Sequence, residues 1–371
     1  MVKKILFISN TANFAKFNRP LMRWCENKGF QVDYCAPDDE MILDCNRHYV
    51  LSIPRRPLSL KTFSCIFELR KIIRNEKYDI IHCHTPMGSV IARLAAKPFF
   101  KKNKIKVVYT AHGFHFFKNA PLINWCVYYP VEKYLSRFTS VLITINEEDF
   151  QFAKRKFHTK DVRKFNGVGV DLTKYYPFIE NRKEKISIVR ESLQIQKDAF
   201  VILYIAEFIK RKNHKLIFDI FPKIRSYIPN VKLILAGKGE LLDYYKKFVE
   251  KNNYSNDVIF TGYTNLIHDY CRVSDLLLMP SFQEGLPISM IEAMATGIPI
   301  VASNIRGHVD VVENGKNGFL CEISDPNQFV EAIKKIYDSE ELRTKIFNEN
   351  LKKAPIFSVE QILESMCKVY E

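Results

Sequence analysis

Two carboxylates and a run of three cations are the residues of this chain best suited to chemistry. Glu284 and Glu292 stand eight residues apart in FQEGLPISMIEAMATGIP, and Glu292 is the only charged residue from Gly285 to Asn304. In a helix from Pro287 to Thr296, Ile288, Ile291 and Ala295 would share one face, and Glu292 falls on that same apolar stripe. A carboxylate desolvated there needs hydrogen-bond donors. A structural ion pair or a backbone cap would supply them, and so would the hydroxyls of a ligand. Glu284, in the loop that opens the helix, favours the ligand. Between the two acids the helix N-terminus offers free N–H groups, a ready site for phosphate. Hydroxyls for Glu292 and phosphate for the helix end describe a sugar nucleotide. Lys210, Arg211 and Lys212 follow the strand-like FVILYIA and fit a diphosphate clamp at a strand's carboxyl end.

These residues need a scaffold of strands and helices. Leu276 to Met279 reads as a buried parallel strand, and Gly285 and Pro287 punctuate a turn, with Pro287 as first helical residue. Gly297 and Pro299 end the helix, and Ile298 to Ala302 resumes a strand. Further strands of this half are expected at 200–206, 231–237 and 258–262. The first half repeats the rhythm, with strands at Lys4–Ser9, Gln31–Ala36, Tyr49–Ile53, Asp79–His84, Val107–Ala111 and Val141–Ile145. Alternation of this kind predicts doubly wound parallel sheets, which bind ligands beyond the carboxyl ends of their strands. In the first half those ends are Asn10–Phe17, His84–Gly88, His112–Phe116 and Asn146–Asp149. The loop NTANFAKFN has no glycine, which disfavours an ordinary NAD-binding domain. His112 and His115, with Gly113 and three phenylalanines, read as a ligand contact. Gly237, Lys238 and Gly239 follow a strand and could cradle a nucleotide, although a tight left-handed turn explains them equally. Lys174–Lys197 is polar and reads as hinge and linker. Ser358 to Glu371 reads as an amphipathic helix with Ile362, Met366 and Val369 on one face.

At 371 residues the chain should hold two domains. No apolar run approaches the ~20 residues that cross a bilayer. Residues 1–17 lack the pattern of a signal peptide, so a cytoplasmic location is expected. The nine cysteines include no CxxC pair, which argues against a disulfide framework or a zinc site, and Cys83, between His82 and His84, is expected on a buried strand. Residues 1–170 hold 29 Lys+Arg against 14 Asp+Glu, whereas residues 171–371 hold 27 of each. The whole excess of +15 therefore lies in the first half, with clusters at Lys101–Lys104 and Lys154–Lys156, and calls for an acidic partner. Nucleic acid and anionic lipid headgroups both qualify, but no nucleic-acid reader motif is present. Trp125, Tyr128 and Tyr129 belong either in the core or at a membrane interface.

FQEGLP with Glu284 and Glu292, HCHTPMGSVIARLAA, YTAHGFHFF and YYPVEKYLSRFTSVLITINEEDF together resemble glycosyltransferase family 4. The likeness extends to its branch for capsule, exopolysaccharide and O-antigen assembly. It implies a GT-B fold: two Rossmann-like, doubly wound parallel-sheet domains facing a central cleft. Residues 1–172 would bind acceptor and face a membrane, with helix 356–371 packing back on them. Residues 173–355 would bind a nucleotide-sugar donor. The implied reaction is a retaining, metal-independent transfer of a hexose or N-acetylhexosamine, with UDP as the expected nucleotide and undecaprenyl diphosphate as the expected carrier of the acceptor glycan. No cofactor is implied, since the nucleotide sugar is a substrate, and the absence of any Asp-x-Asp pair agrees with metal independence. By this likeness Glu292 holds the ribose hydroxyls and Glu284 faces the donor sugar. Gly285, Leu286 and Pro287 lie along sugar and phosphate, Lys212 holds the diphosphate, and His112 contacts the donor sugar. Glu207 occupies a position where relatives commonly carry arginine, with Lys210 or Arg211 as substitutes. Asn10, Phe17, Asn18, His84 and His115 fall on the acceptor side. The enzyme would sit on the inner face of the cytoplasmic membrane. A nucleotide-sugar 2-epimerase of similar architecture is the alternative.

Overall fold

The structure is a computed structural model that describes residues 2–38, 42, 44–54, 59–102, 104–118 and 120–371; Met1 and Asn103 of the Lys101–Lys104 cluster lie outside them. The chain divides into two compact units, one of residues 1–169 with 359–371 and one of residues 170–358.

The first unit is a seven-stranded parallel sheet of order β3-β2-β1-β4-β5-β6-β7. Its strands are β1 (Lys4–Ile8), β2 (Gln31–Ala36), β3 (Arg47–Val50), β4 (Ile80–His84), β5 (Lys106–Ala111), β6 (Val141–Thr144) and β7 (Asp161–Lys164). Period-two alternation divides β1 between two cores. Leu6 and Ile8 face α2 (Leu60–Glu76), α3 (Pro86–Phe100), α4 (Leu122–Leu135) and α5 (Glu147–Lys156). Ile5 and Phe7 face α1 (Ala15–Asn27) and the C-terminal helix Val359–Tyr370, which buries Ile362, Met366, Val369 and Tyr370. Strand β7 is absent from the sequence expectation because DVRK is polar and lies on the sheet edge, where one neighbour suffices. Strand β3 lies two residues earlier than expected, although Leu51 and Ile53 are buried beyond its end.

Two features that the sequence offers for ligand or partner contact also have structural roles. Asn146 caps α5 by accepting from Asp149 N–H at 2.9 Å, and Asp149 in turn accepts from Phe114 N–H at 3.0 Å. Lys154, Arg155 and Lys156 are the last turn of α5, complementing its dipole as the three acids of the first turn do.

The second unit is a six-stranded parallel sheet of order β10-β9-β8-β11-β12-β13. Its strands are β8 (Phe200–Ile205), β9 (Val231–Ala236), β10 (Val258–Gly262), β11 (Leu276–Met279), β12 (Ile300–Ser303) and β13 (Phe319–Cys321), the last a three-residue edge strand too short to show a pattern. The helices are α6 (Arg182–Ser192), α7 (His214–Tyr227), α8 (Leu242–Lys251), α9 (Ile267–Val273), α10 (Ile288–Ala295), α11 (His308–Val311), α12 (Pro326–Asp338) and α13 (Glu340–Lys353). Helix α6 corrects the reading of Lys174–Lys197 as linker alone. Its Arg190 is buried, pairs with Asp275 at 2.8 Å, and donates to the carbonyls of Val273, Lys197 and Ala199. A guanidinium so satisfied anchors a polar segment that hydropathy alone leaves outside.

Candidate active site

The second unit gathers the acids and the cations. Lys212 lies in a tight turn after β8 that three contacts pin. Tyr204 hydroxyl donates to Lys212 carbonyl at 2.5 Å, Asn213 side chain donates to Pro280 carbonyl at 3.0 Å, and Phe282 N–H donates to Arg211 carbonyl at 2.9 Å. Asn213 takes the left-handed conformation that Asn tolerates, with φ 54°. The turn thereby sets Lys212 Nζ at 2.5 Å from Glu284 Oε1, and Arg211 Nη1 at 3.5 Å from Glu284 Oε2. Glu284 is buried. Burial would raise its pKa, but the charge and hydrogen bond of Lys212 outweigh it and hold the carboxyl below its ordinary value. Glu284 is therefore an ionised partner of fixed cations. Arg306 Nε donates to Glu284 carbonyl at 3.3 Å, and a Cβ on Gly307 would lie 2.4 Å from Gly285 carbonyl oxygen, so only glycine allows that approach.

Glu292 is different. It lies half-buried on α10, and burial pushes its pKa up, opposed by a hydrogen bond from Tyr175 hydroxyl and the charge of Lys174. A neutral hydroxyl is a weak partner for a carboxylate that accepts up to ~4 hydrogen bonds. Pro287, expected as the first helical residue, is instead the cap of α10 with φ −76° and ψ 116°, and the helix begins one residue later at Ile288. The Pro287 carbonyl accepts from Met290 and Ile291 N–H, so the N–H groups of Ile288 and Ser289 precede the first intrahelical bond. Leu286 is buried beside them. The loop after β11 and the eight-residue helix α10 thus carry both acids and a helix N-terminus, and the turn after β8 sets its cations against the first acid.

Gly237 and Gly239 have φ near +155°, away from the tight left-handed turn that is one of the two sequence readings of this loop. Glycine is required at both positions on steric grounds. A Cβ would lie 1.9 Å from Ala206 carbonyl oxygen at Gly237 and 2.6 Å from Phe208 backbone at Gly239, so the loops after β8 and β9 pack backbone to backbone. Glu207 and Lys210 are exposed, and Lys238 Nζ lies 5.9 Å from the Tyr263 ring.

The first unit gathers histidines at the carboxyl ends of β4 and β5. His84 Nδ1 is 3.1 Å from His112 Nε2, and the rings of Phe14 and His112 meet edge-on at 4.8 Å. His82 lies under His84 with ring centroids 4.2 Å apart and bonds both Thr110 Oγ1, at 2.8 Å, and Tyr370 hydroxyl. Burial holds all three neutral, His82 at about 3, His112 at about 4, and His84 well below its ordinary value. His84 Nε2 is buried with no hydrogen-bond partner. A small cavity of about 40 Å³ is lined by Phe17, Asn18, His82, His84 and Thr110. Asn18 is buried and its amide reaches Tyr34 hydroxyl at 3.4 Å. Asn10 N–H donates to Thr85 Oγ1 at 3.0 Å. His115 leaves the cluster and stacks on Tyr128 at 4.6 Å.

Two glycosyltransferase models match the chain, Glycosyl transferase 4-like over residues 4–146 and Glycosyl transferases group 1 over 185–353. The Bacillus subtilis protein EpsD, named as a glycosyltransferase, is 36% identical over 372 residues, covering 100% of this chain and 97% of that protein. The chain belongs to glycosyltransferase family 4. An Escherichia coli relative of this family 4 enzyme, named UDP-Gal:alpha-D-GlcNAc-diphosphoundecaprenol alpha-1,3-galactosyltransferase, is 29% identical, covering 87% of this chain and 83% of that protein. Its fold is GT-B: Anabaena HepE, solved with UDP and glucose, matches with a TM-score of 0.81 at 19% identity over 99% of both chains.

Three further residues near the candidate groups escape local sequence reasoning. Thr85 has φ 61° and ψ 151°, a conformation that a β-branched residue adopts only under strain, and it sits between His84 and the helix that follows β4. Tyr175, far from Glu292 in the chain, gives that carboxylate a hydrogen bond from its hydroxyl. His308 donates from Nδ1 to Ser303 carbonyl at 2.9 Å, leaving a buried Nε2 acceptor without a partner and a pKa depressed by burial to about 4. The signal for His308 was a histidine just beyond a strand's carboxyl end, the same signal that singled out His112.

Proposed function

We propose that this glycosyltransferase moves a hexose or N-acetylhexosamine, with retention and without a metal ion or resident cofactor, from a UDP-linked donor to an undecaprenyl-diphosphate-linked glycan in surface polysaccharide assembly. The observation that carries the reading is the contrast between the two acids. Glu284 is already matched by Lys212 and Arg211, whereas Glu292 is desolvated with little but a tyrosine hydroxyl. Ribose hydroxyls would complete Glu292. A diphosphate would draw Lys212 and Arg211 from Glu284 and lie against the N–H groups at the start of α10. Glu284, freed of its cations, then faces the sugar with the Gly285–Leu286–Pro287 backbone. In the transfer, the bond from the anomeric carbon to the diphosphate oxygen breaks, and the acceptor oxygen bonds that carbon on the same face. The acceptor's proton passes to the departing diphosphate.

The activity for which the Escherichia coli relative is named and the UDP held by the Anabaena protein support this choice of donor and acceptor. Among the described residues no helix is long and apolar enough to cross a membrane. With a lipid-linked acceptor and a surplus of cations in its first half, the enzyme would work on the inner face of the cytoplasmic membrane as a peripheral protein. A thermal-shift screen of nucleotide sugars, followed by transfer onto synthetic polyprenyl-diphosphate sugars, tests the proposal. Transfer with UDP-sugar and inverted anomeric configuration would overturn retention. Conversion of the donor sugar in the absence of acceptor would replace the transferase with an epimerase.

A further inference from the structure

Helix α4 is apolar on the wrong side. Its inner face is accounted for: Trp125, Tyr128 and Tyr129 pack against the core that contains Phe114 and Phe116, and Glu132 is buried against Arg93 at 2.7 Å. A helix with one face in a core ordinarily turns charge to water on the other. Here the outer face carries Leu122, 83% exposed, and Ile123, 65% exposed, followed by Val127, Val131 and Tyr134. Cys126 and Pro130 fill the same stripe at spacings of three and four. On α2, two helices away across the same sheet face, Phe63 and Phe67 are 64% and 65% exposed. Both helices begin at the carboxyl ends of strands, so Phe63, Phe67, Leu122 and Ile123 lie toward the same end of the unit. The sequence left Trp125, Tyr128 and Tyr129 undecided between core and membrane; the rings take the core, and the aliphatic residues between them take the surface.

The charge on the stretch of chain that carries this stripe is almost wholly cationic, although α5 beside it opens with three acids. Residues 85–140 contain nine Lys and Arg and a single acid, the buried Glu132. Several of the cations lie over rings at the C-terminal end of α4. Lys97 Nζ is 5.3 Å from the Tyr134 ring and 4.8 Å from Phe138, and Lys133 Nζ is 5.6 Å from Tyr129. Aliphatic residues at one end and ammonium groups riding on aromatic stems at the other suit a surface that is apolar below and anionic above. We propose that the outer face of α4, with Phe63 and Phe67 of α2, is where this protein enters the headgroup layer of an anionic bilayer. At 14 residues α4 is about 21 Å long, enough to lie in the interface and too short to span it. A second copy of the chain is a poorer occupant, because it would set this cationic face against itself. The proposal rests on the reading of a membrane-held acceptor and assigns it a surface.

Cys126 lies inside the stripe and is the exposed one of the nine cysteines. The full chain carrying a polarity-sensitive fluorophore on Cys126 should shift to shorter wavelength with phosphatidylcholine vesicles containing phosphatidylglycerol. Brominated lipid should quench it, and pure phosphatidylcholine should have little effect. The double substitution Ile123→Asp, Val127→Asp, at exposed positions, should weaken vesicle pelleting more than ~tenfold while leaving the melting temperature and donor affinity unchanged. Lys101→Gln and Arg137→Gln should each weaken it roughly fivefold at low salt. Vesicle binding without a spectral shift at Cys126, or undiminished in the Asp variant, would place the contact elsewhere and overturn the proposal. A dimer that the Asp variant dissolves would overturn it in favour of a second copy. Transfer to a water-soluble acceptor is the separate control: its absence in the unsubstituted enzyme counts against the enzymatic reading, whatever the vesicles show.

Discussion

Replacing Glu292 should separate ligand binding from stability. In the free protein its carboxylate is half-buried, its pKa is raised by burial, and Tyr175 hydroxyl and the Lys174 charge are what oppose that rise. If two ribose hydroxyls donate to it in the complex, each charge-assisted bond contributes about 1.5–3 kcal/mol. Glu292→Ala then forfeits about 3–6 kcal/mol, or roughly 10²–10⁴ in the Kd for UDP. Glu292→Gln keeps one acceptor oxygen and should lose about half of that free energy. Folding should respond in the opposite sense. The folded pKa lies above the ordinary glutamate value of 4.5, so ionisation costs stability as pH rises past it. Glu292→Gln removes that cost, and its melting temperature should equal the parent's near pH 4 and match or exceed it at pH 7. Calorimetric titration with UDP and paired melts across this range give both readings. Unchanged UDP affinity, or a Gln variant several kcal/mol less stable than its parent at pH 7, would refute the reasoning and make Glu292 a structural anchor for Tyr175.

Mild acid should destabilise the first unit. His82 and His112 are held neutral with pKa values of about 3 and about 4, and His84 well below 6.5. The unfolded chain therefore binds protons first, and stability that is complete above pH ~6.5 falls as pH drops toward ~4. At pH 5.5 the three sequestered imidazoles together should cost a few kcal/mol, roughly 1 kcal/mol each, and denaturant melts at pH 7.5 and 5.5 should show that gap. An equal midpoint at both pH values would mean the imidazoles are not sequestered. Breaking the buried Arg93–Glu132 pair should cost about 3–5 kcal/mol for either Arg93→Met or Glu132→Leu. The double variant should recover much of that loss, and additive losses in a double-mutant cycle would deny the coupling.

Much of this architecture is readable from local pattern. Alternating apolar runs and helical stretches announce two parallel sheets, because a strand buried on both faces is apolar nearly throughout, as in Leu276 to Met279. The uncharged stretch around Glu292 announces a site for the same reason: a lone charge amid apolar residues needs a purpose. Edge strands β7 and β13 escape, since a strand with one neighbour can be polar or very short.

Other matters depend on residues far apart in the chain. Glu284 meets Lys212 across 72 positions, and His82 meets Tyr370 across 288. No local period carries such pairings, because they arise when parallel strands bring their carboxyl ends to one edge and a terminal helix closes over it. Helix α4 makes the same point through packing. Apolar on every side, it has no asymmetry from which to tell inside from outside, and only the neighbours that cover Trp125 and Tyr129 leave Ile123 and Val127 to the surroundings. Residue types thus announce which chemistry this chain can perform, while the partner that each charged or apolar group meets follows from the path of the backbone in space.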